Sequence, residues 1–271
     1  MDSQLYYKKS PNKLIQEDAC FIHTSMEAAG VFDGVTPIDA YKNSKGENGA
    51  VLASHLFKRY FQELFTEKTS PKEGIAAANR LLKEKMQDCG IDLSEKPYLW
   101  STCAAVVRAE EDVISFAQAG DCMIAARMKD GRVRELVKNS VKGISARAKT
   151  RRENERDEGK GIQPEHYYQQ NPAALYADHR SMANTEDGYS VCNGEEALES
   201  YIQEGSIEKK DVDAILLISD GFFIPGEETL QKAVEFACQK GLPALAEFIE
   251  QKEKDANLPP DDRTAILIRF N

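Results

Sequence analysis

Between Ser101 and Val137 the chain places one strand directly after another, and this constrains its fold more than any other stretch. Ser101 to Arg108 and Asp112 to Gln118 are β-rich runs parted by the charged turn Ala109-Glu110-Glu111. Met123 to Met128 leads into Lys129-Asp130-Gly131, a hairpin signal, and then into Arg132 to Val137. Strands joined by such short turns pair antiparallel, because a parallel neighbour needs a crossover of a dozen or more residues. Regular strand–helix–strand alternation is missing, which argues against a doubly wound parallel sheet.

The strands outside this meander tend to finish on acids. Ala28 to Phe32 is a short apolar run that ends in Asp33-Gly34, and Ala214 to Ser219 ends in Asp220-Gly221. Asp-Gly after a strand is more often a turn than a site, with the glycine supplying φ > 0. The repetition gives it weight. Ala119-Gly120-Asp121-Cys122 adds a third strand-end aspartate, Glu17-Asp18 stands at the head of a strand over Asp18 to Ser25, and Asp261-Asp262 precedes a last strand, Thr264 to Phe270.

Helices fill the intervals. Val51, Leu52, Leu56, Tyr60, Phe61 and Leu64 repeat at three and four within Glu47 to Glu67. Ser70-Pro71-Lys72-Glu73 is a capping box with proline at the first helical position, opening a helix that Gly90 closes. Glu227 to Lys240 and Leu242 to Lys254 are helical, and Met1 to Asn12 reads as an edge strand or a loose lead-in. Lys138 to about Gly194 differs in character: Arg147 to Lys160 is a dense mixture of both charge signs, and Gln163 to Pro172 is polar with tyrosines. It reads as a solvated helix followed by a surface excursion, with a flap over the site as the functional alternative.

Composition narrows the partners. A net charge of −10 disfavours nucleic acid and anionic membrane surfaces. No apolar run approaches the ~20 residues of a membrane helix, and Met1 to Lys13 has no apolar core of a secretory signal, so a cytoplasmic protein is expected. The six cysteines lack any Cys-x-x-Cys pair and the four histidines are dispersed, which disfavours zinc and disulfides. At 271 residues the chain has room for one large domain or two small ones.

Glu17, Asp33, Asp121, Asp220 and Asp261 are far apart in sequence, yet neighbouring strands of a sheet can bring their ends together. Clustered carboxylates repel and want a compensating cation, and oxygen donors alone select a hard ion such as Mg²⁺ or Mn²⁺. Two such ions lower the pKa of bound water and clamp a phosphoryl group, so the set points to metal-assisted hydrolysis of a phosphate ester.

The order of these segments resembles the metal-dependent protein phosphatases of the 2C type. Glu17-Asp18-Ala19, Val31-Phe32-Asp33-Gly34, Ser101-Thr102, Gly120-Asp121, Ile218-Ser219-Asp220-Gly221 and Asp261-Asp262-Arg263-Thr264 follow one another as they do in that family, across nearly the whole chain. The resemblance implies a single α+β domain over 1–271, an antiparallel β-sandwich of two sheets flanked by helices on both outer faces, with a variable flap at about 138–194. It implies a phosphoserine/phosphothreonine phosphatase acting on proteins with Mn²⁺ or Mg²⁺, two ions and a weaker third. By position, Asp33 would bridge both ions, Asp220 and Asp261 would complete one, and the Gly34 carbonyl and Glu17 the other; Asp33, Asp220 and Asp261 would carry the catalysis. Asp121 with Asp220 would form the third site.

Three positions depart from the family pattern. Lys13 stands where an arginine usually grips the substrate phosphate, and offers that phosphate a point charge without a bidentate fork. Val35 replaces a histidine of many eukaryotic members, and Asp262 replaces an asparagine. Two rivals follow. A haloacid-dehalogenase-like phosphatase requires Asp-x-Asp, whereas Asp33 is followed by Gly34-Val35. A catalytically weak or inactive binding module on the same fold would be marked by loss of acids, and all five are present.

Overall fold

The computed structural model describes residues 2–270. Its strands are β1 (Asp2–Lys8), β2 (Ala19–His23), β3 (Ala28–Val35), β4 (Ser101–Ala109), β5 (Val113–Ala119), β6 (Met123–Met128), β7 (Val133–Glu135), β8 (Gln203–Glu208), β9 (Val212–Ile218) and β10 (Arg263–Arg269). They form two antiparallel sheets, ordered β1-β10-β9-β6-β7 and β2-β3-β4-β5-β8. The meander read from the sequence is thus divided between the sheets, with β4 and β5 in one and β6 and β7 in the other.

Alternation along the strands makes the layers. On β3 and β4, Ala29, Val31, Cys103, Ala105 and Val107 belong to the core shared with the other sheet. Ala28, Phe32, Ala104 and Val106 face outward. There they meet α1 (Gly49–Glu63) and α2 (Pro71–Asp88) through Phe57, Phe61, Ile75 and Leu82. Phe21, Phe32 and Phe61 stack with ring centroids 5.0–5.9 Å apart. Burying each such side chain contributes about 1.5–3 kcal/mol. Ser70 and Glu73 form the expected capping box of α2. The opposite outer face carries α6 (Gln231–Lys240) and α7 (Leu242–Ala256), packed by Val234, Leu245 and Ile249. The result is the four-layered α+β sandwich that the resemblance implied.

Strand β8 was not anticipated. Gln-Glu-Gly-Ser-Ile-Glu buries only Ile207, and it is a strand because it hydrogen-bonds along the edge of β5. The glycines after the site acids also act differently from the expected turns. Neither Gly34 nor Gly221 has a positive φ, and β3 continues through Val35. What both require is space. A Cβ on Gly34 would lie 2.5 Å from the Glu17 carbonyl oxygen, and one on Gly221 would lie 1.9 Å from that of Asp262.

The segment 138–194 folds into α3 (Ile144–Asp157), α4 (Glu165–Gln170) and α5 (Pro172–Ser181). Its charge run is no solvated face. Arg152 is 1% exposed, its guanidinium pairing both oxygens of Glu165 and one of Asp178 and stacking 4.4 Å from the Tyr168 ring. Arg151 reaches Asp178 and Ser181, and Arg147 caps four backbone carbonyls of the segment. Apolar burial contributes little here, since α4 and α5 bury no residue fully and α3 only Ala148 and Arg152. Arginine–carboxylate pairs therefore hold these helices together. Among the described residues no helix is long and apolar enough to cross a membrane.

Candidate active site

Strand parity directs the acids to one place. Asp33 shares the face of Ala29 and Val31, so its carboxylate points into the space between the sheets at its open end. Opposite it on β4 stands Cys103, and Thr102 Oγ1 donates to the Asp33 carbonyl at 2.9 Å. Asp121 follows Gly120, whose φ of 93° turns the chain from β5 toward β6. The Cys103 thiol hydrogen-bonds the Asp121 carboxyl. Asp220 opens the short 3₁₀ turn Asp220–Phe222 after β9, and its side chain hydrogen-bonds that of Asp33. Asp261 precedes β10 and is about half exposed.

Asp33, Asp121, Asp220 and Asp261 line one cavity of about 640 Å³, together with Gly34 and Lys13. The segment 138–194 adds Tyr176, His179, Arg180 and Tyr189 to the lining. Ala173, Tyr176, His179 and Arg180 of α5 thus share one cavity lining with the acids. Arg180 donates to the Pro97 carbonyl at 3.1 Å and to that of Thr36, pinning α5 to the loop after β3.

The acids are electrostatically crowded. Burial, followed by the charges of Asp18, Asp220, Asp121 and Asp261, pushes the Asp33 carboxyl well above the usual carboxylate range. Burial, with Asp121, Asp261 and Asp18 behind it, pushes Asp220 up to about 8. Burial also raises Asp121. Asp18 is buried behind them and pushed up to about 7, chiefly by burial, although Ser219 Oγ donates to it at 2.8 Å. Concentrated negative charge borne on oxygen donors fits a hard divalent cation. Among the described residues no three acidic, histidine or cysteine side chains already form a coordination group.

Two predicted residues are engaged otherwise than expected. Glu17 is only 4% exposed and is not among the cavity-lining residues; its carboxylate accepts from Thr36 Oγ1 and Asn48 Nδ2, both at 2.6 Å, and from Lys13 Nζ at 3.0 Å. Lys13 lines the cavity, as a phosphate ligand must, but its ammonium also meets Asp261 at 2.8 Å and Asp262 at 3.3 Å. Asp262 is a buried anchor, accepting the Ser10 and Glu17 backbone N–H groups at 2.7 and 2.8 Å.

Sequence reasoning missed the cavity-lining His179 and Arg180. Asp178-His179-Arg180 near the end of a short helix carries no signal of its own, and only the folding of α5 back over the sheets brings it to the site. Burial lowers the His179 pKa, and its buried Nε2 has no hydrogen-bond partner among the described residues.

The family model for protein phosphatase 2C matches residues 8–259. The chain belongs to the protein phosphatase 2C family. Solved structures of bacterial members share its fold at low identity. The serine/threonine phosphatase Stp1 of Staphylococcus aureus is 14% identical, with a TM-score of 0.62 over 100% of this chain and 95% of that one. The Mycobacterium tuberculosis serine/threonine phosphatase PstP is 15% identical, with a TM-score of 0.59 over 100% and 98%. A PstP catalytic domain described in complex with two manganese ions is 15% identical, with a TM-score of 0.58 over 99% and 97%. No curated protein sequence matches. At these identities the neighbours establish the protein phosphatase 2C fold, while the site must be read from this chain's own residues.

Proposed function

We propose that this protein phosphatase 2C family member is a metal-dependent phosphatase that hydrolyses phosphoserine and phosphothreonine in proteins. One observation carries the reading: Asp33, Asp121, Asp220 and Asp261, drawn from four distant segments, line a single cavity. When bound, Mn²⁺ or Mg²⁺ would lower the pKa of water to make a nucleophile and neutralise the phosphate oxygens. Asp33, in hydrogen-bond contact with Asp220, would be the central ligand; Asp261, the Gly34 carbonyl and Glu17 would complete the pair of sites expected from the resemblance. Asp121 with Asp220 would serve the weaker third ion.

The chain's own cations address the substrate. Lys13 lines the cavity wall and would meet the phosphate dianion by turning an N–H group away from one of the carboxylates it faces. Arg180 adds a second cation to the lining, two of its guanidinium nitrogens fixed to backbone carbonyls. Tyr176 and Tyr189 line the same cavity and would contact the residues around the phosphorylated side chain. Val35 supplies no proton to the leaving group.

The test is release of inorganic phosphate from an aryl phosphate and from phosphoserine and phosphothreonine peptides, with Mn²⁺ added and with chelator. Release that needs the ion supports the reading. Absence of release with every substrate, in protein that is folded and carries Mn²⁺, would instead favour a binding module built on the phosphatase fold.

A further inference from the structure

The Lys13 ammonium stands at the centre of a carboxylate cage. It lies 2.8 Å from Asp261 Oδ1, 3.0 Å from Glu17 Oε2 and 3.3 Å from Asp262 Oδ2. An ammonium has three N–H donors, and three carboxylates meet them. Glu17 and Asp261 are the acids that the family resemblance would give to two different ions, yet both hold the same lysine.

Glu17 is already engaged by the chain. With Lys13, Thr36 and Asn48 all donating to it, both its oxygens are occupied by protein groups within 2.6–3.0 Å. Asp261 Oδ1 also accepts the Asp262 backbone N–H at 2.7 Å. On the other side of the cavity, no lysine or arginine is paired with Asp33, Asp121 or Asp220 among the described residues. The acids thus divide into a half that holds one of the chain's own cations, three carboxylates around one ammonium, and a half that holds none among the described residues.

The two departures from the family pattern explain the division. Asp262, where an asparagine is usual, is 1% exposed and held rigid by two backbone N–H groups. Its added charge draws the ammonium down onto Glu17 and Asp261. Lysine suits this position because it is a compact point charge whose three rotatable donors can each turn toward one of the three carboxylates.

We propose that Lys13 is a built-in cation that takes the place of one of the two metal ions, leaving a single divalent site on the Asp33, Asp121 and Asp220 side. The proposal rests on the metal-dependent reading above and revises its ion count, from the pair of sites that the resemblance implies to one. The ammonium occupies the point at which the Glu17 and Asp261 carboxylates converge, and a divalent ion entering there must displace it.

Counting Mn²⁺ per chain by equilibrium dialysis and calorimetric titration of the intact protein tests this. The parent is expected to bind one ion and Lys13→Met two, while Lys13→Arg, which keeps the charge, stays at one. Should the exposed carboxylates prevent Lys13→Met from folding, Lys13→Met combined with Asp262→Asn removes the excess charge and is expected to bind two. Two ions in the parent, or one in the folded methionine variants, overturns the proposal while leaving the metal-site reading intact. No ion in any variant overturns both.

Discussion

Arg152→Met should loosen the flap while leaving the sandwich untouched. The side chain is 2% exposed, and its loss leaves Asp178, itself 9% exposed, with Arg151 as its remaining ion-pair partner. Glu165 is better placed, at 25% exposure with Arg156 3.6 Å away. Removing one partner of a buried pair costs about 3–5 kcal/mol when the survivor is uncompensated. Because Arg151 remains and methionine restores some of the apolar packing over Tyr168, about 2–3 kcal/mol is expected here. At ~1.4 kcal/mol per decade, that raises the open population of the flap about 30- to 150-fold. The cost falls on the flap because α4 and α5 contribute no fully buried residue to either core. Amide hydrogen exchange read by mass spectrometry should accordingly accelerate across 144–181 by that factor, with peptides from β3 and β9 unchanged. Arg152→Lys, keeping charge but losing the fork, should fall between. Flap exchange within threefold of the parent would refute the view that these arginine pairs, rather than apolar packing, hold the segment together.

The remaining predictions concern the cavity. Asp33→Asn should abolish more than nine-tenths of phosphate release and the rise in melting temperature with Mn²⁺, yet raise the melting temperature of the metal-free protein by relieving repulsion; calorimetry with and without chelator reads both. In metal-free protein, stability should fall as pH rises from about 5 to 8. Asp18 and Asp220, pushed up to about 7 and about 8 chiefly by burial, hold protons in the folded state that the unfolded chain has already released near pH 4, and they lose them over this window. Chemical denaturation at three pH values checks the sign, and a flat or rising profile would show that these acids are not buried together. Arg180→Ala should raise KM for a phosphopeptide about 10-fold while changing kcat less, since the guanidinium lines the cavity from the flap side; equal kinetics on peptide and aryl phosphate in parent and variant would remove it from substrate binding.

Much of this architecture is legible in local chemistry. Turn signals at Ala109-Glu110-Glu111 and Lys129-Asp130-Gly131 set the hairpins, the Ser70–Glu73 box starts α2, and apolar periodicity marks α1. These are contacts between residues close in sequence, so the pattern carries them. Strand β8 escapes because its hydrogen bonds run to β5, some ninety residues earlier, and a polar edge strand needs no alternation of its own. Both Asp-Gly pairs were visible, but the reason for glycine was not: what excludes a side chain is the carbonyl of Glu17 or Asp262, brought there by other strands.

The site divides in the same way. The sequence by itself supplied the acids Asp33, Asp121, Asp220 and Asp261, because strand ends and oxygen donors have a recognisable form. That they face one cavity follows from strand parity and sheet order, which only the folded chain fixes. Charge partnership is likewise tertiary. Lys13 and Asp262 are 249 positions apart and were noted as separate departures, and nothing in either neighbourhood signals that they pair. Arg152 looked like one more charge in a solvated run until Glu165, Asp178 and Tyr168 closed around it. A sequence states which charges a chain carries; the cost of burying a charge depends on what surrounds it, and long-range packing alone decides which partner compensates it.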